Sequence, residues 1–281
     1  MTLPESIPYE DYGGDGQMLH FAHANGFPPG AYRQLLEGLS AQHHIVAMRM
    51  RPLWPGAQPE AIVNWRPLAD DLERFLDQRG LQQVIGWGHS MGALTTLRLA
   101  LRQPQRFSSL VLIDPVFFPP RAIIFWDLLY RLGLGYRVHP LVKGALKRRE
   151  DFESREAMYA NYRKKSIFQR LNDQALADYT NAMGCSSPDG SVRLCYPARW
   201  EARIYVTALR ADMEIWRNLP QLKIPLLIVR GAETDTFLES TGRLVQRRLP
   251  AARVHTVPDS THLVALEKPL EILAAVKEIQ P

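Results

Sequence analysis

The sequence predicts an α/β protein, a mostly parallel sheet flanked by helices and split by a helical insertion. Three observations carry that expectation. Short apolar runs alternate with helical periodicities up to Pro115, the alternation stops there, and it resumes near Pro220. Alternating strand and helix patterns are the signature of parallel strands joined by crossover helices.

Each element follows in order. Residues 18–23, 44–48, 83–87 and 110–113 are short, rich in β-branched or aromatic residues and bounded by breakers, as strands buried on both faces should be. Leu35, Leu36 and Leu39 recur at helical spacing before the second run. Leu68, Leu72, Phe75 and Leu76 do so before the third and stop at Gly80. Residues 93–101 predict a helix that leaves the third strand directly and stops near Pro104. Residues 116–219 show helical patterns and no convincing strand. Runs at 226–229 and 253–257 then predict strands, and 240–248 and 269–279 predict helices. The expected organisation is a core in two parts, 1–115 and 220–281, with a helical cap at 116–219.

Composition narrows the function classes. Of 281 residues, 46% are apolar and 22% charged, which predicts a globular chain with a sizeable core rather than disorder. The first residues lack the basic and apolar regions of a signal peptide, and no run is long enough to span a bilayer. Cys185 and Cys195 are too few for a disulfide framework and lack metal-ligand spacing. A reduced, cytoplasmic protein without integral membrane association is therefore expected. Positive charge concentrates in 116–219, with 17 Lys and Arg against 11 Asp and Glu. A solvated basic face is one reading, and attraction to an anionic substrate or membrane surface is the other. Lys147-Arg148-Arg149 and Arg163-Lys164-Lys165 fit solvated helix faces. No basic stripe interleaved with aromatics points to nucleic acid.

The most informative motif is Gly88-His89-Ser90-Met91-Gly92, a G-x-S-x-G between a predicted strand and a predicted helix. The nucleophile of such an elbow sits on a strained turn that passes close to neighbouring backbone, so glycines flank it. Ser90 would project at the carboxyl edge of the sheet, where α/β ligand sites form. A serine hydroxyl needs a neighbouring base to act at neutral pH.

From these residues the chain resembles the α/β-hydrolase superfamily, in its capped, lipase/esterase-like branch. The resemblance implies that His262, in Pro258-Asp259-Ser260-Thr261-His262-Leu263 with Glu267-Lys268-Pro269 after it, is the base. Asp235 is the first choice for the acid, by its place after a strand and before His262. Its loop is one residue longer than the usual G-x-x-D, and Asp114 and Glu233 stay open as alternatives. His23-Ala24-Asn25-Gly26-Phe27-Pro28 lies where the family keeps its oxyanion loop, with Tyr32 on a frequent aromatic position. The amides of Met91 and Asn25 would form the oxyanion hole, with Phe27 as the alternative to Asn25.

Five residues are candidates for contacting substrate: His23, His89, Trp54, Phe117 and Trp126. The plainer readings are a loop brace for His23, packing or surface for His89, and core for Phe117 and Trp126. The implied activity is hydrolysis of small to medium carboxylic esters through an acyl-enzyme, with no metal or organic cofactor. C–C bond hydrolysis, lactone opening, acyl transfer, cofactor-free peroxidation and a non-catalytic ligand-binding protein share the same scaffold. The expected partner is a small-molecule ester, and the chain could be a monomer or a homodimer.

Overall fold

The computed structural model describes residues 4–279. Seven strands form one sheet: β1 (Tyr9–Gly13), β2 (Gln17–Ala22), β3 (His43–Met48), β4 (Val84–His89), β5 (Phe107–Ile113), β9 (Leu226–Gly231) and β10 (Arg253–Val257). Their spatial order is β1-β3-β2-β4-β5-β9-β10. Only β1 runs antiparallel, pairing Tyr9 with Met48 and Asp11 with Val46. The other six strands are mutually parallel.

The strand β1 was not expected. Its sequence Tyr-Glu-Asp-Tyr-Gly is polar and half exposed, so it lacks the apolar signal of the central strands. Pairing along the edge of β3 makes it a strand, as context often does at a sheet edge.

Helices α1 (Arg33–Ser40), α2 (Arg66–Gln78) and α3 (Met91–Arg102) connect the first strands. In α2 the buried residues Leu68, Leu72, Phe75 and Leu76 form one face, with Pro67 in the first turn. Helix α3 lies against β2, β4 and β5 and is covered by α2. It is buried almost all round.

Between β5 and β9 the chain folds as α4 (Pro120–Arg131), α5 (Gly135–Val138), α6 (Pro140–Leu146), α7 (Arg155–Arg163), α8 (Asp173–Met183), α9 (Ala198–Thr207) and α10 (Met213–Asn218). The expectation of no strand here is corrected. Strands β6 (Asp151–Phe152), β7 (Gly184–Ser186) and β8 (Val192–Leu194) form a small antiparallel sheet in the order β6-β8-β7. The turn is local: Ser187-Pro188-Asp189-Gly190 reverses the chain, with Gly190 at φ 85°. A disulfide joins Cys185 to Cys195 across this hairpin, with their Cα atoms 5.3 Å apart. Two free thiols were expected, and the correction follows from pairing that brings residues ten apart face to face.

The last segments are α11 (Glu239–Arg248), α12 (Val264–Glu267) and α13 (Pro269–Ile279). Helix α13 packs on α1 and β10. No helix among the described residues is long and apolar enough to cross a membrane.

Candidate active site

Ser90 stands between the end of β4 and the first turn of α3, with φ 56° and ψ −115°. A side chain rarely adopts that conformation, and its surroundings enforce it. The Ser90 amide donates to the Ile113 carbonyl at 2.9 Å. A Cβ on Gly88 would lie 2.6 Å from the Ala93 nitrogen, and one on Gly92 would lie 2.0 Å from the Ala22 carbonyl oxygen. Both glycines are therefore demanded by close backbone approach. The turn aims the hydroxyl out of the sheet edge, yet Ser90 is only 5% exposed.

His262 follows β10 on a loop pinned at several points. Ser260 Oγ donates to the Val257 carbonyl, and the Glu267 carboxylate accepts from both the amide and the hydroxyl of Thr261. A Cβ on Gly231 would lie 2.2 Å from the Thr261 carbonyl oxygen, so the end of β9 can approach this loop only as glycine. The imidazole Nε2 sits 2.9 Å from Ser90 Oγ, and Nδ1 sits 2.9 Å from Asp114 Oδ1. With the carboxylate accepting, Nδ1 carries the proton and Nε2 can accept the serine's.

The expected partner is thus corrected: the imidazole meets Asp114, not Asp235 or Glu233. Asp114 directly follows β5, with φ 37°, and is fully buried. Its Oδ2 accepts from the Gly231 amide at 2.8 Å, and its Oδ1 also accepts from Thr234 Oγ1 at 2.6 Å. The fourth place of the expected G-x-x-D pattern holds Thr234, and this is the residue its loop turns inward. Asp235 is exposed and accepts a hydrogen bond from its neighbour Thr236. Glu233 is exposed and pairs with Arg170.

The loop after β2 lies across the start of α3. The Phe27 amide is already used, donating to the Ala24 carbonyl at 3.2 Å. That weighs against the Phe27 alternative and favours Asn25 as the loop's candidate donor beside Met91, the first residue of α3. The Asn25 side chain is locked, donating to the Glu201 carbonyl at 3.1 Å and accepting from Tyr196 OH at 2.7 Å.

Residues from the insertion therefore hold this loop. Arg148, read from sequence as part of a solvated run, is buried instead. It pairs with the Glu201 carboxylate and donates to the hydroxyls of Tyr162 and Tyr179. Phe27 packs on Tyr179 at 5.0 Å between ring centres. Sequence reading missed Arg148, Tyr196 and Glu201, whose partners lie more than a hundred residues away in the case of Asn25.

The five substrate-contact candidates each make packing contacts, and neither they nor Ser90 line the cleft at His262. His23 is fully buried; its Nδ1 donates to the Ala24 carbonyl at 2.8 Å, and its Nε2 accepts the Met50 amide at 3.0 Å. Burial lowers its pKa to about 4, so it braces the loop as a neutral ring. His89 is also buried, and desolvation, helped by the nearby His262, holds it well below the ordinary histidine range. Its Nε2 donates to the His262 carbonyl at 2.8 Å and its Nδ1 accepts from Tyr32 OH at 2.8 Å. Tyr32 in turn accepts the Ala24 amide at 3.2 Å. Phe117 stacks on Trp216 at 4.3 Å. Trp54 is buried, donates to the Arg49 carbonyl and lies between Arg51 and Arg74. Trp126 meets His139 edge-on at 4.8 Å.

The cleft that reaches His262 has a volume of about 350 Å³ and is flanked by Ile167 and Leu263, with Arg170, Glu233 and Asp235 at its charged side. A larger one, about 540 Å³, is lined by Glu10, Arg33 and Asp178 and contains no part of the Ser90–His262–Asp114 chain. Among the described residues, no group of three His, Cys, Asp or Glu could hold a metal ion.

Comparison with known proteins bears on the family and the fold. A model described as the alpha/beta hydrolase family matches residues 21–276. The chain is 24% identical to Esterase YbfF of Escherichia coli, over 86% of this chain and 85% of that one. It is 24% identical to the mouse (lyso)-N-acylphosphatidylethanolamine lipase, over 94% and 79%. Among solved structures, E-2-(acetamidomethylene)succinate hydrolase superposes with a TM-score of 0.77 at 21% identity, covering 97% and 94%. An esterase of Mycobacterium tuberculosis gives 0.74 at 20% identity, covering 99% and 90%.

Proposed function

This chain belongs to the alpha/beta hydrolase family, and from that membership we propose that it hydrolyses carboxylic esters through an acyl-enzyme on Ser90. One observation carries the proposal: Asp114, His262 and Ser90 form a continuous hydrogen-bonded chain, with 2.9 Å on each side of the imidazole. The esterase and lipase that this chain resembles support the same reaction class.

The reaction follows from the proton positions. Ser90 Oγ attacks the ester carbonyl as its proton passes to His262 Nε2, and Asp114 stabilises the resulting imidazolium. The carbonyl oxygen gains negative charge and is met by the amides of Met91 and Asn25, with the first turn of α3 adding its positive end. The alcohol leaves with the proton from Nε2. Water then loses a proton to the same nitrogen and attacks the acyl carbonyl, releasing the acid and restoring Ser90.

Residues 116–219 act as a cap on a core made of 1–115 and 220–281. The Asn25 contacts to Tyr196 and Glu201 support this division, since they seat the insertion on the candidate oxyanion loop.

The test is labelling by a fluorophosphonate probe followed by a series of p-nitrophenyl esters. Stoichiometric labelling, lost in Ser90→Ala and strongly reduced in His262→Ala, is expected. Folded wild-type protein that takes no label overturns the enzyme reading in favour of a ligand-binding one.

A further inference from the structure

One face of α4 packs on nothing. Ile124, Phe125, Leu128 and Leu132 are each more than half exposed, and only Ile123 of this helix is buried. At 3.6 residues per turn the four exposed side chains fall within an arc of about 100°. Exposed apolar residues continue through Val138 and Leu141 on α5 and α6. The edge-on contact of Trp126 with His139 brings the two segments together. A contiguous apolar face of this kind marks an interaction surface.

Charge selects the partner. Residues 116–149 contain seven Lys and Arg and a single acid, Asp127; with Arg148 turned inward to Glu201, six of these cations remain to set the charge of the face. Asp127 is already paired with Arg131 and Arg210. Arg121, Arg137, Lys143 and Lys147 have no carboxylate within 4 Å among the described residues. Arg121 lies one turn before Ile124, inside the same arc as the apolar side chains. A second copy fits poorly, because a twofold pair would set this positive face against itself.

We propose that the face formed by α4 to α6 docks on an anionic lipid surface. The apolar side chains enter the headgroup boundary, and the long basic side chains reach outward to lipid phosphates. The association is peripheral and requires no hydrolysis, so it stands apart from the chemistry assigned to Ser90. The connection to the site is short: five residues separate Asp114 from the first residue of α4.

Co-sedimentation of the full chain with sucrose-loaded vesicles tests this, comparing pure phosphatidylcholine with an equimolar mixture of phosphatidylcholine and phosphatidylglycerol. Partition onto the mixed vesicles at low salt should be tighter by about tenfold or more and weaken as salt rises. Phe125→Glu with Leu128→Glu should abolish it while the melting temperature stays at the wild-type value. Lys143→Glu with Lys147→Glu should reduce the preference for phosphatidylglycerol. Equal, weak partition of wild type onto both vesicles overturns the proposal. So does a wild-type dimer in sedimentation velocity that Phe125→Glu dissolves, because another copy of the chain then covers the face. Binding is read without turnover, so failure here leaves the labelling of Ser90 as a separate result.

Discussion

His89 donates its Nε2 proton to the backbone carbonyl of His262, 2.8 Å away. The residue before the candidate nucleophile thus holds the loop that carries the candidate base. The link extends through Tyr32 to the Ala24 amide, so one buried chain ties the candidate oxyanion loop, the elbow and the histidine loop. His89→Ala should lower kcat by about 10- to 100-fold, because small displacements of reacting groups are costly. KM should change little, and the pH midpoint of kcat/KM should stay in place, since burial keeps His89 neutral. Kinetics across a pH series would show this; an unchanged kcat removes the positioning role.

Asp114→Asn should reduce kcat by about 10⁴-fold, as loss of the tautomer-setting carboxylate does in triads. Asp235→Asn should leave it within about twofold, because that side chain faces solvent on its own loop and surface changes seldom propagate. Steady-state kinetics of the two variants decide between them. The reverse ranking would restore Asp235 as the acid.

Ser90→Gly should be more stable than Ser90→Ala in urea unfolding. Both remove the hydroxyl, but only glycine relieves φ 56° with ψ −115°. The strain is worth about 1–3 kcal/mol; the greater freedom of unfolded glycine offsets about 0.5–1 kcal/mol of it. A glycine variant less stable than the alanine one by that offset would mean that the elbow is unstrained.

His20 is fully buried, and neither ring nitrogen has a hydrogen-bond partner among the described residues. It packs against Phe75 at 5.5 Å. His20→Leu should therefore stabilise the fold by about 1–3 kcal/mol at neutral pH, the cost of an unsatisfied buried polar group. Burial lowers the pKa of His20 to about 3. The unfolded chain then binds the extra proton below its ordinary value near 6.5, and wild-type stability falls with pH. The advantage of the leucine variant should widen by about 1.4 kcal/mol per pH unit from 6.5 toward 3. Urea midpoints at pH 7 and pH 5 measure it, and a constant difference would mean that His20 does not titrate this way.

Local sequence signals identified the elbow, because its requirements are local. Gly88 and Gly92 each answer to a backbone approach at one strand-to-helix turn. The central strands were equally legible, since strands buried on both faces must be continuously apolar. The edge strand β1 and the hairpin of β7 and β8 were not, because polar segments become strands only by pairing with a neighbour.

What the primary structure determined alone is the scaffold and the places of Ser90 and His262 in chain order. Only the tertiary structure decided which carboxylate meets the imidazole. Two loops end at adjacent strands, β5 and β9, and each offers an aspartate. The outcome turned on Thr234 pointing inward to Asp114, 120 residues earlier in the chain. Side-chain direction in a loop depends on contacts with distant residues, which spacing along the chain does not encode. The same reason hid Tyr196 and Glu201: both meet Asn25, more than 170 residues earlier in the chain.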